Sequence, residues 1–187
     1  MRITIIGDSF THTYKDTWIE TVCKEANLEM VNCYGFRGKS QYKIYENFLQ
    51  QLVNPPDVFL ICHTEYMRLY HEGISDKDFA RISYSLMIQD MQLKCKKNNI
   101  KMINVPCFEH EFIEKFYGLW FLATGGLINI SKADYPEWTD KMNDPRTNHF
   151  SPKGHCILAN HLKTDIKNYV NGNNEFHIVS LYAEYFS

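Results

Sequence analysis

The chain has 187 residues, of which 44% are hydrophobic and 22% charged, with a formal net charge of −2. This is the balance of a globular protein of single-domain size, and we expect one domain over residues 1–187. The small net charge argues against a nucleic-acid partner and against an anionic membrane surface. No apolar run approaches the ~18 residues of a membrane span, so none is expected.

The six cysteines are scattered along the chain, and Cys62 lies at the end of an apolar run. They form no CxxC pair and no zinc-like spacing, so we interpret them as reduced, buried side chains. We expect neither a metal site nor a cofactor. The sequence passes from Met1 directly into a strand, without the charged and apolar regions of a signal peptide, which predicts a cytoplasmic protein.

The first elements follow a β–α–β pattern. Arg2–Ile6 is a short β-branched run that stops at Gly7, which predicts a buried strand ending in a tight turn. Apolar residues at helical spacing predict a helix over Tyr14–Asn27, and Leu28–Cys33 is predicted as the second strand.

The same pattern continues to residue 105. Ser40 can cap a helix that ends before the two prolines at 55 and 56, and Asp57–Cys62 predicts the third strand. Asp76–Asn98 predicts a long helix, and Ile100–Val105 predicts the fourth strand. The apolar residues expected to face inward on the long helix are Phe79, Ile82, Leu86 and Leu93.

An aromatic-rich insert occupies about residues 106–143, where the alternation of strands and helices breaks. Long segments of this kind are often functional. We interpret it either as a helix-and-loop cover that completes the core, or as a lid or acyl pocket. A last helix is predicted over about Pro152–Val170, and Glu175–Tyr185 is predicted as a strand or an arm on the sheet edge.

Strands that alternate with helices predict a three-layer α/β/α fold with a mostly parallel sheet. In such a sheet, ligands bind at the edge formed by the carboxyl ends of the strands. Four polar segments are expected to meet there, namely Gly7-Asp8-Ser9, Asn32 to Ser40, His63-Thr64-Glu65 and Asn148 to His155.

These segments resemble those of the SGNH hydrolase family, also called GDSL esterases and lipases, over about Ile3–Leu162. Gly7-Asp8-Ser9 is similar to the family's nucleophile segment, and an Asn-x-x-x-x-x-Gly pattern ending at Gly38 is similar to its oxyanion segment. His149, with Gly154 five residues later, is similar to the final segment, which in the family reads Asp-x-x-His before a helix. This final segment also resembles variants from bacteriophage and other microbial proteins.

The resemblance implies a flavodoxin-like order of the strands and a serine hydrolase that cleaves a small-molecule ester through an acyl-enzyme on Ser9. A serine hydroxyl is a weak nucleophile and needs a neutral imidazole, here that of His149, to take its proton. The resemblance also places Gly38 as a backbone donor to the developing oxyanion, together with the N–H of Ser9.

Two positions depart from the family pattern. The third segment usually supplies an oxyanion-donating asparagine, but here the strand runs into His63-Thr64-Glu65. Glu65 could take the asparagine's place and repel the oxyanion, Thr64 or His63 could donate instead, or the donor is absent. Position 146, three before His149, is arginine, and the nearest carboxylate is Asp144. Asp144 is either the triad acid or a turn residue beside a Ser–His dyad.

Three other functions compete with this interpretation. The segment from Gly35 to Ser40 does not make a phosphate loop, because the first glycine of that motif would fall at Cys33. The main rival is a catalytically silent SGNH-like domain that acts as a binding or structural module, for instance in a phage particle. A flavodoxin-like binder of a small ligand is the third.

Overall fold

Six strands form one parallel sheet in the computed structural model, which describes residues 1–68, 76–137, 144–172 and 174–186. The strands are β1 (Arg2–Gly7), β2 (Glu29–Gly35), β3 (Val58–His63), β4 (Lys101–Pro106), β5 (Gly118–Ala123) and β6 (Phe176–Leu181). Their order is β2-β1-β3-β4-β5-β6, and every neighbouring pair is parallel. The predicted flavodoxin-like order is therefore confirmed, with a sixth strand added at one edge.

Five α-helices connect the strands within the described residues. They are α1 (Trp18–Glu25), α2 (Gln41–Gln51), α3 (Lys77–Lys97), α4 (Leu127–Asp134) and α5 (Pro152–Asn171). The side chain of Ser40 accepts from the backbone N–H of Lys43 at 3.2 Å, as its predicted capping role requires. The first helix begins at Trp18, four residues later than predicted, because Thr17 is its N-cap.

Helices cover both faces of the sheet, so the predicted three layers are confirmed. In β3, Val58 and Leu60 join the cluster that contains α1, α4 and α5, while Phe59 and Ile61 join the cluster that contains α2 and α3. Successive side chains of a strand point to opposite faces, and β3 is fully buried on both. This makes the strand apolar throughout rather than alternating.

The predicted inward face of α3 is wrong. Phe79, Ile82, Leu86 and Leu93 are 51–61% exposed. The helix buries a second stripe of equal helical spacing instead, which consists of Ala80, Tyr84, Ile88, Met91, Gln92 and Cys95. Helical periodicity is satisfied by either stripe, and the tertiary packing selects the one that carries Tyr84, whose hydroxyl donates to the carbonyl of Thr64 at 2.8 Å.

The aromatic-rich insert contributes to the core and also to the site. It contains β5 and α4, neither of which was predicted, because a short run buried on both faces has no period that separates strand from helix. Trp120 and Phe121 are fully buried, in agreement with a core cover. Phe108 reaches the cavity described below, and Trp138 lies outside the described residues.

The C-terminal segment ends the sheet. Glu175–Tyr185 was predicted as a strand or an arm, and β6 indeed lies at the edge, where it pairs with β5 alone. Within the described ranges, no helix combines the length and apolar character needed to cross a bilayer.

Candidate active site

The turn after β1 presents Ser9 at the carboxyl edge of the sheet. Asp8 caps a 3-10 turn over Ser9–Thr11, and its Oδ1 accepts from the backbone N–H of Phe10 at 3.1 Å. A Cβ on Gly7 would come within 2.8 Å of the Cβ of Cys62, a distance that real Cβ atoms do not show. Only glycine therefore allows β1 to pack against β3 and still turn sharply at the serine.

Asp8 braces this turn from inside the protein. Its side chain is fully buried, and Oδ2 has no hydrogen-bond partner within the described residues. Burial raises the pKa of Asp8, and the opposing contribution of the Phe10 backbone N–H does not cancel the effect. Asp8 does not line the cavity, as expected for a structural residue.

Ser9, His149 and Asp144 form a continuous hydrogen-bonded chain. The Nε2 of His149 lies 2.7 Å from the Oγ of Ser9, and its Nδ1 lies 2.9 Å from the Oδ2 of Asp144. The side chain of His149 is 17% exposed and that of Asp144 only 1% exposed. Phe10 packs on the imidazole, with ring centroids 4.8 Å apart. The imidazole is thus held by contacts with Ser9, Asp144 and Phe10, and it remains partly accessible to solvent.

The loop before α5 holds His149 in an unusual backbone conformation. Asn148 and His149 both have positive φ, at 49° and 64°. A left-handed conformation costs non-glycine residues about 1–2 kcal/mol each, so other contacts must stabilise it. Asn148 clamps the backbone of Thr13, and the hydroxyl of Ser131 donates to the carbonyl of His149 at 2.7 Å. These contacts aim the histidine at the serine.

Asp144 is gripped by an arginine. The Nε and Nη2 of Arg146 lie 3.0 Å from Oδ1 and Oδ2 of Asp144, and the backbone N–H of Arg146 donates to Oδ1 at 3.0 Å. Burial alone would raise the pKa of Asp144, but hydrogen bonds from Arg146 and His149 outweigh it and hold the pKa below its ordinary value. Asp144 is therefore ionised over the neutral pH range.

A cavity of about 450 Å³ opens over the serine. This size lies within the range of small-ligand sites. Its apolar wall includes Phe10, Phe108 and Ile128, and its polar wall includes Arg37, Glu65 and Arg68. Ser9 and His149 both line it, so the hydrogen-bonded chain ends in a space that a small molecule can enter.

The oxyanion residues expected from the sequence lie in different places. Gly38 lines the cavity with φ of 70°, a conformation that favours glycine. Glu65 also lines it, 3.6 Å from the Nε of Arg68. Thr64 does not reach the cavity, because its side chain is fully buried and its backbone N–H donates to Gln41 Oε1 at 3.3 Å.

His63 is likewise remote from the cavity. It is fully buried, with Nδ1 3.3 Å from Gln41 Nε2 and Nε2 3.0 Å from Asn104 Oδ1. Of the three residues His63, Thr64 and Glu65, which stand in place of the family's asparagine, only Glu65 lines the cavity with Ser9.

Four residues that support the site were not identified from the sequence, namely Ser131, Asp134, Arg146 and Asn148. The last two adjoin the histidine segment, and the arginine at the family's acid position was itself a signal. The α4 residues carry no motif, and only the packing of α4 against the loop reveals them. In the described ranges, no cluster of three or more His, Cys, Asp or Glu side chains is placed to bind a metal.

Comparisons with known proteins agree with this architecture. No family model matches the sequence, and no curated protein matches it. Solved structures do. An acetylxylan esterase from Geobacillus stearothermophilus has a TM-score of 0.58 at 15% identity, covering 92% of this chain and 97% of that one. A psychrotrophic esterase from Pseudoalteromonas has a TM-score of 0.56 at 12% identity, covering 91% and 99%.

A GDSL-like lipase from Bacteroides thetaiotaomicron has a TM-score of 0.51 at 14% identity, covering 89% of this chain and 88% of that one. The chain therefore has the fold of the SGNH (GDSL-like) lipolytic proteins and esterases, as the resemblance predicted. At these identities the likeness concerns the fold, and the chemistry has to be argued from the site itself.

Proposed function

We propose that this protein is an SGNH-type carboxylic ester hydrolase that acts through an acyl-enzyme on Ser9. The observation that carries the proposal is the unbroken hydrogen-bonded chain from Asp144 through His149 to Ser9, which ends in an open cavity. Its order of acid, base and nucleophile is that of a serine hydrolase triad. Structural likeness to esterases supports the same reaction class.

The reaction begins when Ser9 Oγ attacks the ester carbonyl and its proton passes to Nε2 of His149. Asp144 accepts from Nδ1–H, which fixes the productive tautomer and stabilises the imidazolium. The imidazolium then donates its proton to the leaving alcohol, and the acyl group remains on Ser9. A water molecule then attacks the acyl-enzyme and gives one proton to Nε2. The bond between the acyl group and Ser9 Oγ breaks, the carboxylic acid leaves, and the imidazolium returns the proton to Oγ.

The oxyanion would be stabilised by the backbone N–H groups of Ser9 and Gly38. The position of Gly38 on the cavity wall supports this role. Glu65 occupies the part of the wall that follows β3, where the family's asparagine would stand. Loss of one oxyanion donor typically costs ~10²–10³ in rate, so we expect a slow esterase.

The substrate we propose is a small ester with a short acyl group. A cavity of about 450 Å³ accommodates such a molecule, with Phe108 and Ile128 against its apolar part. The polar wall would face the alcohol portion, and one structural neighbour is an acetylxylan esterase, whose substrate carries a short acyl group, acetyl.

The test is labelling and turnover. Wild-type protein should react with a fluorophosphonate probe at Ser9 and hydrolyse 4-nitrophenyl acetate, whereas Ser9→Ala should lose both and keep its melting temperature. Ser180→Ala, on the exposed edge strand β6, is the matched control and should behave as wild type. Retention of more than a tenth of wild-type turnover by Ser9→Ala would show that Ser9 is not the nucleophile.

The absent asparagine and the carboxylate of Glu65 favour one rival, a catalytically silent SGNH domain that binds a ligand in the same cavity. The labelling experiment separates the two, because a silent domain would fold normally yet leave Ser9 unlabelled. Such a result, with no turnover of esters of any chain length, would replace the proposed function with this rival.

A further inference from the structure

An arginine stands where the resemblance expects the triad acid, three positions before His149. Its guanidinium makes a bidentate contact with the carboxylate of Asp144, the proposed triad acid. Nε donates to Oδ1 of Asp144 and Nη2 donates to Oδ2, both at 3.0 Å. Oδ2 is also the oxygen that lies 2.9 Å from Nδ1 of His149. One carboxylate oxygen is therefore shared between the arginine and the imidazole.

The arginine is fixed from its other side by α4. Its Nη1 lies 3.3 Å from Oδ2 of Asp134 and 2.8 Å from the carbonyl of Ser131, and its Nη2 lies 3.0 Å from the hydroxyl of Ser131. Asp134 in turn accepts from the backbone N–H and the hydroxyl of Ser151, the N-cap of α5, at 2.7 Å each. The guanidinium thus ties the turn that carries Asp144 to two helices.

The cluster is almost completely buried. The side chain of Arg146 is 7% exposed, and those of Asp134 and Asp144 are each 1% exposed. A buried ion pair adds little net stability over an apolar replacement, but it imposes one geometry, because any other arrangement leaves a charge unpaired. The guanidinium of Arg146, paired with the carboxylates of Asp134 and Asp144, is therefore suited to fixing the orientation of these side chains.

Resting on the proposed function, we infer that Arg146 is a positioning residue of the ester hydrolysis. It holds the plane of the Asp144 carboxylate so that Oδ2 accepts from Nδ1–H of His149, and Nε2 then faces Ser9. The acid lies two positions earlier than in the family pattern, in the described segment 144–151, where no helix or strand fixes it. The fork from Arg146 supplies that fixation.

The alternative is that Arg146 only stabilises the fold. The two roles predict different energetic coupling between Arg146 and Asp144 in catalysis. If Arg146 acts through Asp144, its removal costs turnover only while Asp144 can still serve His149. A double-mutant cycle measures this, because effects of residues that act as one unit are not additive.

The cycle uses Arg146→Met, Asp144→Asn and the double variant, assayed with 4-nitrophenyl acetate. Arg146→Met should lower kcat by about 10- to 100-fold and leave KM within about twofold. This is the range found when a group that orients a metal-binding histidine through a hydrogen bond is removed. In the Asp144→Asn background, the same change should lower kcat by less than about threefold. Full additivity of the two losses would overturn the inference.

A second variant covers the case in which Arg146→Met does not fold. Arg146→Lys keeps a cation between Asp134 and Asp144, but a single ammonium cannot grip both oxygens of a carboxylate in the manner of a planar fork. It should therefore fold and still lose kcat. Arg81→Met is the control for loss of a guanidinium, because Arg81 pairs with Glu109 and neither residue lines the cavity, so kcat should be unchanged. Wild-type kcat in Arg146→Lys would contradict the proposed role.

A readout without substrate keeps this inference separable from the proposed function. The Nδ1 proton of His149 can be followed by ¹H NMR as a downfield resonance that His149→Gln removes. It should shift or broaden in Arg146→Lys and remain unchanged in Arg81→Met. An unmoved resonance overturns the positioning role even if ester hydrolysis is established. An unlabelled Ser9 overturns the proposed function, and with it the catalytic part of this inference.

Discussion

Asn148 holds both polar groups of the Thr13 backbone, 135 positions earlier in the chain. Its Oδ1 accepts from the N–H of Thr13 at 2.9 Å, and its Nδ2 donates to the carbonyl of Thr13 at 2.6 Å. Thr13 follows the serine turn and Asn148 immediately precedes His149, so this clamp joins the two halves of the proposed triad. The side chain of Asn148 also stabilises the left-handed backbone of this same residue, where φ is 49°.

We therefore predict that Asn148→Gly destabilises the protein by about 2 kcal/mol, because two hydrogen bonds of ~1 kcal/mol each are lost while the backbone conformation is kept. Asn148→Ala should cost about 1 kcal/mol more, since alanine disfavours positive φ. Urea unfolding measures both. Turnover should fall at least tenfold in each, because His149 loses its alignment. Equal stability of the two variants would mean that the positive φ carries no strain.

The second prediction concerns the carboxylate on the cavity wall. Glu65→Gln keeps the length of the side chain and replaces a negative charge with a donor, so kcat should rise by about tenfold, part of the ~10²–10³ that one oxyanion donor contributes. Glu65→Asn, which restores the family's residue, should act in the same direction. Arg68→Gln removes the partner of Glu65 without adding a donor there, and serves as the comparison. An unchanged or lower kcat in both Glu65 variants, with the fold intact, would place the oxyanion away from this residue.

The third prediction separates the two parts of the aromatic insert. Phe108 lines the cavity, so Phe108→Ala should extend the preferred acyl chain in a series of 4-nitrophenyl esters. Trp120 is fully buried in β5, and its Nε1 donates to the carbonyl of Tyr117 at 2.9 Å. Trp120→Ala should therefore lower the free energy of unfolding by about 3–5 kcal/mol without changing the acyl preference.

Phe112→Ala is the control for loss of an aromatic ring in the same insert, because Phe112 packs against Tyr66 and Tyr84 away from the cavity. It should leave the acyl preference unchanged. If Trp120→Ala shifted the preferred acyl length more than Phe108→Ala, the buried part of the insert would also act as the lid or acyl pocket.

The fourth prediction follows from the buried histidine at the end of β3. Burial lowers the pKa of His63 to about 4, and the hydrogen bond to Asn104 only partly opposes it. In the unfolded chain the pKa is about 6.5. Between these two values the unfolded state binds a proton that the folded state does not, so folding stability falls as the pH drops from 6.5 to 4. The full loss is about 3 kcal/mol.

Urea unfolding from pH 7.5 to 4 would measure this. The free energy of unfolding of the wild type should fall more steeply than that of His63→Gln, by up to ~1.4 kcal/mol per pH unit within the window. His161→Gln is the control for replacing a histidine with glutamine, because His161 stacks on Tyr185. Parallel curves for wild type and His63→Gln would show that folding does not lower the pKa of His63.

The sequence by itself determined the features that local chemistry encodes. Short β-branched runs followed by helical repeats specify parallel β–α units, and a glycine two residues before Ser9 marks the sharp turn that exposes a hydroxyl. His149 stands in a short motif before a capped helix, so it too was recognisable. These predictions depend only on neighbouring residues, which is why the parallel β–α units and the places of Ser9 after β1 and His149 before α5 could be anticipated.

Tertiary structure decided everything that depended on which surfaces meet. Both apolar stripes of α3 have helical period, and only docking selects Tyr84 over Leu86 for burial. The sequence left Asp144 as either acid or turn residue. In the structure Asp144 lies 2.9 Å from His149 and is held by Arg146, which itself contacts α4. Such contacts join residues far apart in the chain, and no local pattern specifies them.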